Sequence, residues 1–183
     1  VSDLTDTARQ TVYAIRDDNT AATLVNARTA LVAQTLTVAG ATRTGSNNAV
    51  DFASGRGWYI DLVDSAAPTF NGERVNIDMQ LIQGTLIFAS IIPSSTVCSP
   101  GGSGWLNFVN YETGGYVGPL TLVSTQYNSP IVGINVLYIA GIPKIEVVTS
   151  TNPTPQLDPN VQIKASGSAF TGKRVIWREL LPD

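Results

Sequence analysis

"TLIFASIIPSSTVCSPGGSGWLNFVNYETGG", residues 85–115, holds two runs rich in β-branched and aromatic residues, 85–92 and 105–111, with Pro, Ser and Gly between them. Runs of this length and composition, bounded by turn residues, predict β-strands. The same stretch carries the single cysteine of the chain, Cys98, just ahead of Gly101, Gly102 and Gly104. A nucleophilic thiol needs a base or a cationic neighbourhood, yet no Lys or Arg stands near Cys98 and the chain has no histidine. Nor do the glycines form a phosphate loop, because no lysine follows them and the next run is a strand, not a helix. The stretch therefore reads as a turn joining two strands, with Trp105 opening the second.

The rest of the chain agrees with that reading. Charged residues are 14% of the 183, against roughly 25% in ordinary soluble domains, while turn formers are abundant. This composition predicts an all-β fold. Further strands are expected at 10–19, 57–62, 74–82, 134–141, 144–150, 161–168 and 173–180, each an apolar or β-branched run between turn residues. In residues 22–40, Leu24, Ala27, Leu31 and Gln34 have helical spacing and predict one short helix near 24–34, followed by a strand. Residues 41–55 are rich in turn chemistry and are expected to be an exposed loop, and 150–160, with three prolines and no apolar period, a loop or an edge crossing.

Internal similarity suggests how the strands are grouped. "TLIFASIIP" (85–93) returns in weakened form as "VLYIAGIP" (136–143), and Trp58 in "GWYIDL" stands 47 positions before Trp105 in "GWLNFV". In addition, "TVYAIRDD" (11–18) overlays "GWLNFVNYETG" (104–114), with Val12 on Leu106. A period of about 40–50 residues with several strands each is the signature of β-propeller blades, which must stack to bury their faces. Chance likeness among strands is the competing explanation.

Several functions are disfavoured by what the chain lacks. The net charge is −3 and the 11 basic residues form no stripe, so no nucleic-acid footprint is present. Without histidine, the Ser-His-Asp and Cys-His arrangements and histidine metal sites are excluded. The longest apolar stretch, 130–143, is too short and too interrupted by Gly and Pro to span a bilayer as a helix. The expectation is a soluble piece, either processed or excised from a longer chain. Glu73 and Asp78 are an unpromising glycosidase pair, because an odd separation on a strand puts them on opposite faces. Glu73 with Arg74, and Glu179 with Arg178, read instead as blade-edge or inter-strand ion pairs, of small energetic value where exposed. Trp58, Trp105 and Trp177 are expected in the core rather than on a sugar-stacking platform.

Beyond these readings, "RQTVYAIRD" (9–17), "GWYIDL" (57–62), "GERVNIDMQLIQGTLIFASIIPSSTVCSPGGSGWLNFVNYETGG" (72–115) and "GKRVIWREL" (172–180) resemble the C-terminal part of the PilY/PilC family of type IV pilus tip adhesins and assembly factors. The resemblance spans nearly the whole chain. It implies an exported, non-enzymatic module of a modified β-propeller, either a single all-β domain over 1–183 or the last two to three blades of an incomplete ring. It further implies a place at the pilus tip or cell surface and support of pilus assembly. Opposition to retraction, and with it twitching motility, adhesion and virulence, belong to the same implication. The implied partners are minor pilins, host or abiotic surface receptors and the remaining blades of a parent protein, with no nucleic acid and no membrane span.

Many family members carry a calcium loop of the type Asp-x-Asn-x-Asp. Here "RDDNTA" (16–21) offers Asp17, Asp18 and Asn19 but lacks the alternation and a later acidic ligand, so turn chemistry is the preferred reading and no cofactor is expected. Loops 41–56, 93–104 and 150–160 are the expected contact surface, and strand 173–180 is expected to fasten the C-terminus. A lectin-like carbohydrate-binding domain is the alternative function, with a fragment of a quinoprotein-like propeller enzyme behind it.

Overall fold

The computed structural model describes residues 6–17, 24, 26–63, 70–94 and 101–164. They form β1 (Thr11–Ile15), α1 (Ala27–Ala30), β2 (Val32–Gln34), β3 (Leu36–Ala39), β4 (Thr42–Gly45), β5 (Gly57–Asp61), β6 (Arg74–Val75), β7 (Gln80–Ile82), β8 (Thr85–Pro93), β9 (Gly102–Asn110), β10 (Leu122–Tyr127), β11 (Ile131–Ile139), β12 (Ile142–Thr149) and β13 (Gln156–Leu157). The fold is all-β, as expected. Strands β8 and β9 are the antiparallel pair read in the opening stretch, in register from Thr85 opposite Asn110 to Pro93 opposite Gly102.

The described residues form three sheets, ordered β1-β5-β2, then β3-β4-β10-β9-β8-β6 with β7 also on β8, then β11-β12-β13. Alternation along β8 and β9 explains how they stack. Ile87, Ala89, Leu106 and Phe108 pack with Ile131, Ile145 and Val147 of the third sheet. The intervening residues Phe88 and Val109 turn the other way and pack with Val12, Trp58 and Ile60 of the first sheet. The middle sheet is thus covered on both faces, which is why its strands read as nearly continuous apolar runs.

Stacked, mainly antiparallel sheets that do not close on themselves agree with an incomplete propeller. The strand counts differ from four per blade, and β2 runs parallel to β5. The 47-residue spacing of the tryptophans does not mark equivalent blade positions. Trp58 faces the middle sheet from the first, whereas Trp105 shares the face of Asn107 and Val109, toward the first sheet. Both are 1% exposed and belong to the interior, as expected.

Two hairpins show why the turn dipeptides stand where they do. Gln83 and Gly84, between β7 and β8, have φ of 48° and 81°, and Ala140 and Gly141, between β11 and β12, have 51° and 80°. Two successive positive φ values match the right-handed twist of paired strands, and glycine adopts them without steric cost.

Some expectations are corrected. The proposed helix over 24–34 shrinks to four residues, capped by Asn26, whose side chain accepts the Arg28 N–H at 3.1 Å. The expected loop 41–55 contains β4, which forms a hairpin with β3. The single strand expected over 74–82 is two short ones, β6 and β7, which pair with separate parts of β8. Strand β10 was not expected at all, and the loop 150–160 contains the two-residue β13. Residues 161–164 have no strand, and the strand expected over 173–180, Trp177, and Arg178 with Glu179 lie outside the described residues.

Candidate functional site

Interior polar chemistry is concentrated between the first and middle sheets. Arg43 on β4 and Glu73, just before β6, are 0% and 2% exposed. The guanidinium donates Nη1 to Glu73 Oε1 at 2.9 Å and Nη2 to Glu73 Oε2 at 2.5 Å, and it also donates to the Val63 carbonyl. Its plane lies over the Trp105 ring, 3.8 Å from the centroid. The Ser90 hydroxyl donates to Glu73, Asn107 Nδ2 donates to Ser90 Oγ at 3.1 Å, and the Ser124 hydroxyl donates to Asn107 Oδ1 at 2.7 Å. A continuous chain of bonds therefore crosses β10, β9 and β8 and ends on a buried ion pair. Glu73 is in an inter-strand ion pair, one of the two arrangements expected, but its partner is Arg43, 30 residues upstream, instead of the neighbouring Arg74, and the pair is buried. Hydrogen bonds satisfy both carboxylate oxygens and both terminal guanidinium nitrogens, as such a pair requires, while Arg43 Nε is buried with no partner among the described residues. With neither charge reachable from outside, the group reads as architecture rather than a reaction centre.

On the outer face of the first sheet, Asp61 receives both guanidinium nitrogens of Arg28, at 2.9 and 2.5 Å, and the Thr11 hydroxyl at 2.7 Å. Arg28 also lies over the Tyr59 ring at 4.5 Å. Partial burial alone pushes the Asp61 carboxyl up, but the Arg28 and Thr11 bonds, with the charges of Arg28 and Arg9, outweigh it and hold the group below the usual carboxylate range. A carboxyl whose folded pKa is depressed contributes stability above the unfolded value and loses it as pH falls. Asp61→Asn is therefore expected to be less stable than the parent at pH 6 by up to about 1 kcal/mol. That difference should shrink below about pH 4, the ordinary carboxylate value. Urea midpoints of the two proteins between pH 2.5 and pH 6 check this, and a constant difference would contradict it.

Accessible binding geometry lies at the other end of β1. Ala14, Ile15, Arg16, Phe52, Gly57, Trp58, Tyr111 and Glu112 enclose a mainly apolar cleft of about 610 Å³ between the first and middle sheets. This is within the usual size of ligand pockets. Trp58 contributes its floor and donates Nε1 to the Tyr111 carbonyl at 2.9 Å. Phe52 is set by a turn in which Asp51 accepts the Ala53 N–H at 2.9 Å and the Ser54 hydroxyl at 2.6 Å; that hydroxyl, then the N–H, draws the Asp51 carboxyl below its usual range. Arg16 donates to the Phe52 carbonyl and lies over its ring at 5.8 Å. At the opposite rim, Glu112 meets Lys164 Nζ at 3.1 Å and the Tyr111 hydroxyl at 3.2 Å.

Of the residues singled out in the sequence, Asp17 is exposed just past β1, while Asp18, Asn19 and Cys98 lie outside the described residues. Among the described residues no group of three or more His, Cys, Asp or Glu is placed to hold a metal. Of the expected contact loops, 41–56 contributes Phe52 to the cleft, and no described residue of the other two lines it. The cleft itself was not expected. Its residues come from three separated segments, and the one usable cue was Ile15 and Arg16 as an exposed end of a strand.

No helix among the described residues is long and apolar enough to cross a membrane. No family model matches the chain, and no curated protein matches it. Among solved structures, the C-terminal domain of Pseudomonas aeruginosa PilY1 aligns with 86% of this chain at 20% identity and a TM-score of 0.61. The chain spans 38% of that chain's length. The likeness shows a shared fold.

Proposed function

We propose that the chain is a non-enzymatic module of a type IV pilus-associated adhesin of the PilY/PilC kind. The observation that carries this reading is the fold shared with the PilY1 C-terminal domain over most of the chain, reached independently of the motif resemblance. In this reading the stacked sheets are a rigid platform, the exported protein sits at the pilus tip, and the module meets minor pilins on one side and a host or abiotic surface on the other. It favours pilus assembly and opposes retraction, and no cofactor takes part. Loops on a rigid sheet scaffold are the natural carriers of such contacts. Trp58 and Trp105 are buried, which gives a sugar-stacking platform on these two residues no support.

Deleting the gene in the bacterium that encodes the chain tests the proposal. Surface pili, counted by electron microscopy, are expected to fall at least several-fold and to recover when the retraction motor is also removed. Unchanged piliation and unchanged surface attachment would overturn it.

A further inference from the structure

The free side of β1 and the cleft beside it form one surface. Arg16 N donates to the Arg56 carbonyl at 2.7 Å and Leu62 N to the Gln10 carbonyl at 3.0 Å. In an antiparallel ladder these bonds fix the parity: even-numbered residues of β1 exchange hydrogen bonds with β5, so the N–H and C=O groups of Thr11, Tyr13 and Ile15 point away from it. Among the described residues no strand pairs with that side. Tyr13 and Ile15 are 42% and 56% exposed, and among the described residues the edge is unpaired. An open edge of this kind is a template for another strand.

We infer that this edge accepts an extended segment of a partner protein, which carries a bulky apolar side chain two positions from an Asp or Glu. The pattern follows from the geometry. A residue placed opposite Ala14 shares its face, and Ala14 lines the cleft, so that side chain enters an apolar space large enough for an aromatic ring. The residue opposite Arg16 lies two positions away on the same face. Arg16 is bonded to a carbonyl and a ring, and among the described residues no carboxylate is paired with it. The acid at the opposite rim, Glu112, is already matched by Lys164. At the mouth of the cleft Arg16 thus offers a cation that is in no ion pair among the described residues, and an acidic side chain on the partner answers it. This acceptor site goes beyond the pilus reading and does not depend on it.

A displayed library of random decapeptides, panned against the full chain, tests the inference. Enriched peptides are expected to share the apolar and acidic pair two positions apart, and N-methylation of their backbone should abolish binding. Tyr13→Pro removes an outward donor without touching the β1–β5 ladder, and Arg16→Glu reverses the charge on an exposed side chain. Each should weaken the enriched peptides at least tenfold while leaving the unfolding midpoint near that of the parent. Four results would overturn the inference. The first two are no enrichment, and peptides that bind both variants as well as the parent. The third is a dimer in sedimentation velocity that Tyr13→Pro dissociates, which would make a second copy the occupant. The fourth is a tenfold gain in peptide binding by Trp177→Ala, which would make the occupant this chain's own C-terminus.

Discussion

Arg43→Ala is expected to destabilise the protein by about 3–5 kcal/mol, the usual cost of removing one partner from a buried ion pair. The cause is what remains. Glu73 would stay in a dry interior with only the Ser90 hydroxyl and the backbone around it, the Val63 carbonyl would lose its donor, and the Trp105 ring would lose the cation on its face. For a chain of this size the loss corresponds to a fall in Tm of about 6–20 °C. Thermal unfolding followed by tryptophan fluorescence reads it directly. The double variant Arg43→Met, Glu73→Leu is the informative control, because replacing both charges by apolar groups of similar size is often neutral. It should recover most of the lost stability. A single variant within about 1 kcal/mol of the parent would show that the pair is solvated in solution.

Trp58→Ala should have a comparable effect. Its side chain is 1% exposed and packs with Phe88, Val109 and Val123 across the first gap between sheets. Truncating a buried tryptophan or phenylalanine typically costs about 3–5 kcal/mol. Trp58→Phe separates the two contributions: it keeps most of the apolar contact but leaves the Tyr111 carbonyl without its indole donor. The bond is part-buried and Tyr111 is exposed, so its loss costs about 0.5–1.5 kcal/mol, the net worth of an ordinary hydrogen bond. The expected order in urea midpoint is therefore parent, then Trp58→Phe, then Trp58→Ala. Equal midpoints for the two variants would mean that the hydrogen bond, rather than packing, carries the effect. Because Trp58 floors the cleft, Trp58→Ala should also deepen it.

How much of this was legible in the sequence depends on what each residue signals locally. Strands β5, β8, β9, β11 and β12 are apolar, β-branched runs between turn residues, and alternation exposes them. Strand β10 escaped because Ser124, Thr125 and Gln126 follow its two apolar residues, and Ser124 is polar in order to reach Asn107. Strand β4, "TRTG", looked like a loop for a related reason: an arginine reads as solvent-facing, and here it is buried against a glutamate 30 residues away. The pairing of Arg43 with Glu73 is a property of the sheet order, and no window along the chain contains it. The same holds for the cleft, since Ile15, Phe52 and Tyr111 meet only when the first sheet lies on the second. Trp58 and Trp105 were correctly read as interior, although their spacing overstated the regularity of the blades.

The bonded chain from Ser124 through Asn107 and Ser90 to Glu73 also acts as a key against misassembly. Long apolar strands such as β8 and β9 have little in their greasy faces to distinguish the native alignment from one displaced by a single residue. Such a displacement of β9 would turn Asn107 into the apolar layer against the third sheet and bring Phe108 or Leu106 against Ser90 and Ser124. The misaligned sheet would then bury an amide without partners and leave the Ser124 and Ser90 hydroxyls without theirs, a penalty that opposes any apolar contact it could gain. The same polar side chains that hide β4 and β10 from a reader of the sequence thus let the folding chain tell a correct sheet from a near miss.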